Sequence, residues 1–179
     1  HHAVLHTVEQ LASLYGFEVE FLPVDASGKV DPDDLRKSLD KDVAVVSVIY
    51  ANNEIGTINP MVEIGQVCRE FEVPLHSDAV QAAAHLPMEQ AGQAVEMISI
   101  GAHKFYGPKG VGGLYIRRGI DRLPVQTGGG QEYNLRAGTQ NVPYIVGLAE
   151  AFDLAQTDVA VRAEHYTALR ARLIDGVLT

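Results

Sequence analysis

Residues 43–50 run Val43, Ala44, Val45, Val46, Ser47, Val48, Ile49 and Tyr50, apolar but for one serine and rich in β-branched side chains. Stiff χ1 torsions suit such residues to an extended backbone, and a run without polar alternation suits a strand buried on both faces of a parallel sheet. A parallel sheet in turn requires helical crossovers between its strands, and the flanking sequence has the pattern to supply them. Residues 2–15 place Val4, Leu5, Val8, Leu11, Ala12 and Tyr15 at helical spacing, with Gly16 as the expected C-cap. Residues 17–22 alternate with period two, which predicts a half-buried strand. Asp31 followed by Pro32, Asp33 and Asp34 reads as an N-cap and an acidic first helical turn. A helix is predicted over 61–71, strands over 73–76 and 95–100, and a further strand over 110–116. Residues 142–178 are helical in pattern, long enough for one helix or two. The result is an α/β fold with a mostly parallel sheet flanked by helices.

At 179 residues the chain can bury one core, and no repeat or linker divides it. No apolar run approaches the roughly 20 residues of a membrane-spanning helix. A formal net charge of −9 gives no electrostatic footprint for nucleic acid. The single cysteine, Cys68, excludes an intrachain disulfide framework and a cysteine-based zinc cage, so no metal site is expected. It fits a reducing compartment, most simply the cytoplasm. The chain opens on His1 without Met, and its natural N-terminus is expected to lie upstream.

Ligands of open α/β sheets sit beyond the carboxyl ends of the strands, and polar blocks follow three of the apolar runs. They are Asn52, Asn53, Glu54, Ile55, Gly56, Thr57; His76, Ser77, Asp78, Ala79, Val80, Gln81; and Gly101, Ala102, His103, Lys104, Phe105, Tyr106, Gly107, Pro108, Lys109, Gly110. Lys104 is expected to be partly desolvated and reactive as an amine nucleophile, the plain alternative being a solvated loop lysine. Asp78 can pair with a cationic ring nitrogen, or simply cap the helix that follows. Cys68 falls one turn after Ile64 on the predicted helix, in a packing position rather than a catalytic one.

Taken together, Asn53, Asp78, Gln81, His103 and Lys104 resemble the cofactor site of class V aminotransferase-like enzymes. The three blocks, with Gly128 to Glu132 and Arg136 to Thr139, are similar to the cysteine desulfurase branch in particular. The resemblance runs from His1 to about Ala155. It implies the large cofactor domain of a fold-type I pyridoxal-phosphate enzyme. Lys104 would form the internal aldimine with pyridoxal 5'-phosphate and move protons at the substrate Cα. Asp78 would hold the pyridine nitrogen, Gln81 the phenolic oxygen and His103 the phosphate. Asn53 would lie beside the ring, and Thr139 would reach a phosphate in the other subunit of a homodimer. His1 lines up with the histidine that stacks on the ring and transfers protons, unless the leading His1-His2 pair is the stub of a tag.

The implied reaction takes L-cysteine to L-alanine and passes sulfur to a protein cysteine, for an acceptor such as an iron–sulfur scaffold. A selenocysteine lyase, a kynureninase-like enzyme and a non-catalytic fragment are the alternatives. Two departures accompany the resemblance: Gly101 stands where the family usually has a phosphate-binding serine, and Cys68 lies outside every site block. Residues 1–179 are expected to be a partial cofactor domain, without the family's N-terminal segment and C-terminal small domain. The isolated chain is therefore expected to be inactive.

Overall fold

The computed structural model describes residues 1–178. The chain begins with α1 (His2–Tyr15), which ends where Gly16 turns left-handed at φ 74° and its N–H bonds to the Ala12 carbonyl at 3.1 Å. A Cβ would strain that backbone, so glycine is the residue that stops the helix there. Helix α2 (Pro32–Ser38) starts as its sequence dictates: the Asp31 carboxylate accepts from Asp33 N–H at 2.8 Å, and Pro32 occupies the first turn.

Four strands follow, with helices between the first three: β1 (Val46–Ile49), α3 (Met61–Glu70), β2 (Leu75–Asp78), α4 (Ala82–His85), α5 (Glu89–Ala94), β3 (Met97–Gly101) and β4 (Gly112–Ile116). They form one sheet in the order β1-β2-β3-β4. β1, β2 and β3 are parallel, with Ile49 beside Asp78 and Asp78 beside Ser99, while β4 returns antiparallel to β3. The polypeptide ends in a short ribbon, β5 (Gly130–Gln131) with β6 (Arg136–Ala137), and helices α6 (Val142–Thr157) and α7 (Val159–Leu178).

Period-two alternation places Val46, Val48, Leu75 and Ile98 on one side of the sheet, buried against Met61, Ile64, Val67 and Cys68 of α3 and Ala91 and Ala94 of α5. A smaller core lies at the strand ends, where Ala83 and Ala84 of α4, Ala102, Phe105 and Ala155 of α6 come together. Phe105 and Phe152 meet edge to face there, with ring centroids 5.7 Å apart.

The α/β class with a mostly parallel sheet is as expected, but three readings of local structure need correction, and one left open is decided. Residues 17–22 are not a strand: the segment joins no ladder and Phe21 is 65% exposed. Its alternation is real, but a strand needs a neighbour to bond its backbone, which local pattern cannot supply. The run 43–50 pairs only over Val46–Ile49, at the edge of its sheet, with Val45 and Ser47 exposed, so it is not covered on both faces. β2 lies two residues later than predicted, because Val73 and Pro74 belong to the turn after α3, where Val73 N–H bonds the Cys68 carbonyl. The terminal helical stretch is two helices, divided at Asp158.

Candidate functional site

Because β1, β2 and β3 run parallel and in register, their carboxyl ends lie along one edge of the sheet. Each end carries one of the polar blocks. After β1 the chain turns back on itself through a bridge between Ala51 and Ile58. The Asn52 side chain accepts from Glu54 N–H at 2.8 Å and Ile55 N–H at 3.1 Å, which leaves Asn53 exposed at the tip. The base of this turn is held by Asn59, only 3% exposed. Its amide donates to the Ile49 carbonyl at 2.8 Å and accepts from Val30 N–H at 2.9 Å.

Asp78 closes β2 and is 9% exposed. Its carboxylate accepts one hydrogen bond, from Val80 N–H at 3.1 Å, a turn contact that precedes α4; the cap of that helix is Gln81, so the helix-cap reading of Asp78 is not met. Among the described residues no lysine or arginine forms an ion pair with it. A carboxylate has about four lone-pair sites, and a buried one normally fills them or meets a cation. Gln81, half-buried, stands three residues on, at the start of α4.

After β3 the chain makes a single 3-10 turn over Ala102–Lys104. Ala102 and Phe105 are buried on either side of it, and that anchoring turns His103 and Lys104 outward. Lys104 is thus exposed, and the expected desolvation is not found. A Cβ added at Gly101 would come within 3.1 Å of the His103 ring and 3.6 Å of Val80, so glycine lets that imidazole lie back over the strand end. This is a local reason for glycine at a position where the resemblance leads one to expect serine. Lys109 lies five residues beyond Lys104, exposed in the loop before β4.

The geometry therefore brings Asn53, Asp78, Gln81, His103 and Lys104 to one sheet edge. His1 and Thr139 lie on other elements of the chain. His1 is the N-cap of α1, where its Nδ1 accepts from Ala3 N–H at 3.1 Å. Thr139 is exposed, directly after β6 and Gly138. Cys68 is fully buried in the main core, and burial pushes its thiol up to about 11, so it is packed rather than poised as a nucleophile.

One group on the sheet went unread in the sequence. His76 bonds Ser47 on β1 through Nδ1 at 2.8 Å and Ser99 on β3 through Nε2 at 2.9 Å. Burial holds its imidazole below the ordinary value, partly offset by the nearby Asp78 carboxylate. The available signal was that Ser47 interrupts an otherwise apolar run and that Ser99 stands between Ile98 and Ile100.

The model of the aminotransferase class-V family matches residues 1–179. The chain is 49% identical over 177 residues to cysteine desulfurase IscS of Dictyoglomus turgidum, covering 99% of this chain and 45% of that protein. It is 47% identical over 178 residues to cysteine desulfurase IscS of Methanosarcina thermophila, covering 99% of this chain and 44% of that protein. A solved structure described as a NifS-like protein superposes with a TM-score of 0.94 at 43% identity, over 99% of this chain and 49% of that one. The chain thus spans less than half the length of the relatives it matches. From its strand-end blocks to its sheet topology, it belongs to the aminotransferase class-V family, and within that family it is similar to the cysteine desulfurases.

Proposed function

We propose that this chain forms part of the cofactor domain of a pyridoxal-phosphate-dependent cysteine desulfurase, which converts L-cysteine to L-alanine and passes the sulfur to a protein thiol. The observation that carries this reading is the buried Asp78 carboxylate, with a single hydrogen bond, at the carboxyl edge that also bears Lys104. The open carboxylate oxygen is not sealed in the interior, so a cationic donor can reach it, and a protonated pyridine nitrogen is one. The similarity to cysteine desulfurases supports the same choice.

The residues present fit that group. When bound, pyridoxal 5'-phosphate supplies an aldehyde that condenses with amines and a ring that withdraws electrons from the substrate Cα. Asp78 holds the ring nitrogen in its protonated state, and Gln81 donates to the phenolic oxygen. His103 holds the phosphate, and Asn53 orients the ring and substrate from the β1 turn. Lys104 would hold the cofactor through its amine and, as the neutral amine, would take the proton from the substrate Cα; its exposure leaves the side chain room to swing. His1 would lie against the ring and move a proton, and Thr139 would hold a phosphate in a second copy of the chain, which would make the enzyme a homodimer. Cys68 is too deeply buried to accept sulfur, so the attacking thiolate comes from another segment of the full-length protein. The natural sulfur acceptor is a protein such as an iron–sulfur scaffold, in the cytoplasm.

The test is alanine formation from L-cysteine by the full-length protein with added cofactor, beside its Lys104→Ala variant. The reading predicts turnover that vanishes in the variant. Turnover on selenocysteine or kynurenine but not on cysteine would place the chain with another lyase of the family.

A further inference from the structure

One imidazole ties three strands on the side of the sheet opposite the main core. His76 uses both ring nitrogens, towards Ser47 on β1 and Ser99 on β3. Alternate residues of a strand share a face, so Asp78 is the next side chain of β2 on that side. Its register partner on β3 is Ser99. A serine hydroxyl beside a buried carboxylate with open lone pairs is a ready donor to it, and such a charge-assisted bond is stronger than one to a neutral ring. Yet Ser99 Oγ is bonded to His76 Nε2, and Asp78 keeps its single bond from Val80 N–H.

Resting on the reading that Asp78 meets the ring nitrogen of pyridoxal phosphate, we propose that His76 is a positioning residue that holds the Ser99 hydroxyl away from Asp78 and so keeps the carboxylate open for that nitrogen. Either tautomer serves. If Nε2 accepts, the only hydroxyl proton of Ser99 is committed to the ring; if Nε2 donates, the bond still fixes the Ser99 rotamer. The bond from Nδ1 to Ser47 anchors the ring from the other side and stops it from following Ser99.

The experiment uses the full-length protein loaded with pyridoxal phosphate carrying 15N in its ring. Two quantities are read: cofactor affinity from visible absorbance, and the 15N chemical shift, which reports protonation of the ring nitrogen. His76→Phe removes both hydrogen bonds and releases Ser99 onto Asp78. Affinity should fall about tenfold, the order expected when one charge-assisted hydrogen bond is diverted, and the 15N signal should move towards that of an unprotonated ring. Adding Ser99→Ala to His76→Phe should restore both, and Ser99→Ala alone should match the parent. If His76→Phe does not fold, His76→Leu with and without Ser99→Ala makes the same comparison. A double variant worse than the single one, a His76 variant indistinguishable from the parent, or a loss in Ser99→Ala alone would overturn the proposal. Asp78→Asn separates the two levels. If it leaves the 15N signal unmoved, the assignment of Asp78 itself fails; if it moves the signal while His76→Phe does not, only the role of His76 fails.

Discussion

The carboxyl edge of the sheet and the stretch between β4 and α6 both bear residues assigned to one cofactor, yet they are held in opposite ways. At the sheet edge the backbone is fixed from within: Asn59 pins the β1 turn, Asp78 and Gly101 are buried, and Phe105 anchors the turn that carries Lys104. Between β4 and α6 the apolar side chains Leu123, Val125 and Tyr133 stand in solvent. There the consecutive residues Glu132, Tyr133 and Asn134 all adopt left-handed φ, at 49°, 59° and 66°, a conformation costly for residues with a Cβ. The contrast shows where preorganisation resides. The sheet-edge groups assigned to the ring are set by their own core, whereas Thr139 depends on a segment with little core of its own, as His1 does on α1, which buries no residue.

The largest effect should come from the sheet edge. Asp78→Asn is nearly isosteric and keeps an acceptor for Val80 N–H, but it removes the charge assigned to the ring nitrogen. Exchange of the substrate α-proton should drop by about a hundredfold or more, since a general acid–base or electronic partner is commonly worth that much. Cofactor affinity should fall less. Equal losses in both, with the fold intact, would make Asp78 a binding group and weaken the contrast with the periphery.

Next in size is a packing test of the support beneath that edge. A Cβ at Gly65 of α3 would lie 2.2 Å from the Ala94 carbonyl oxygen of α5, a backbone atom that cannot move aside cheaply. Gly65→Ala should therefore destabilise the protein by about 1–2 kcal/mol, overpacking outweighing the gain in helix propensity. Urea denaturation measures it, and a neutral result would mean that α3 and α5 pack more loosely than their geometry indicates.

Cys68 tests the same core by titration. Its thiol pKa rises from an ordinary 9.0 to about 11 in the fold. Between those values the unfolded chain releases the thiol proton while the folded chain retains it. Stability contributed by the buried thiol is therefore full below pH 9 and declines as pH rises towards 11. Cys68→Ala should flatten that alkaline decline in denaturation midpoints, whatever it costs at neutral pH. The smallest effect belongs to the far end of the chain. Gly176 in α7 has open space where a Cβ would go, so Gly176→Ala should raise stability by about 1 kcal/mol or less.

What could be read from the sequence divides along the same line. Gly16 and the Asp31-Pro32 pair marked their helix ends because a cap is local chemistry, settled by a few adjacent residues. The mostly parallel sheet and the strand-end position of Asp78 and Lys104 followed from the alternation of apolar runs with helical segments. The rest was non-local. Whether residues 17–22 find a ladder, or whether residues 43–50 form a central strand, depends on neighbours that no local pattern specifies. The bonds from His76 to Ser47 and Ser99 depend on the register of strands more than twenty residues apart. The exposure of Lys104 likewise follows from Phe105 and Ala102 turning inward on either side, a fact of packing rather than of composition.

The proposed function stands on one bond, between pyridoxal phosphate and Lys104 at the carboxyl edge of this sheet. Borohydride reduction of the cofactor-loaded protein, followed by peptide mapping, tests it most directly, because reduction makes the lysine–cofactor bond permanent and the peptide identifies the lysine. A cofactor adduct is expected on Lys104 and none on Lys109, five residues away in the same exposed loop region. An adduct on Lys109 with Lys104 unmodified would contradict it.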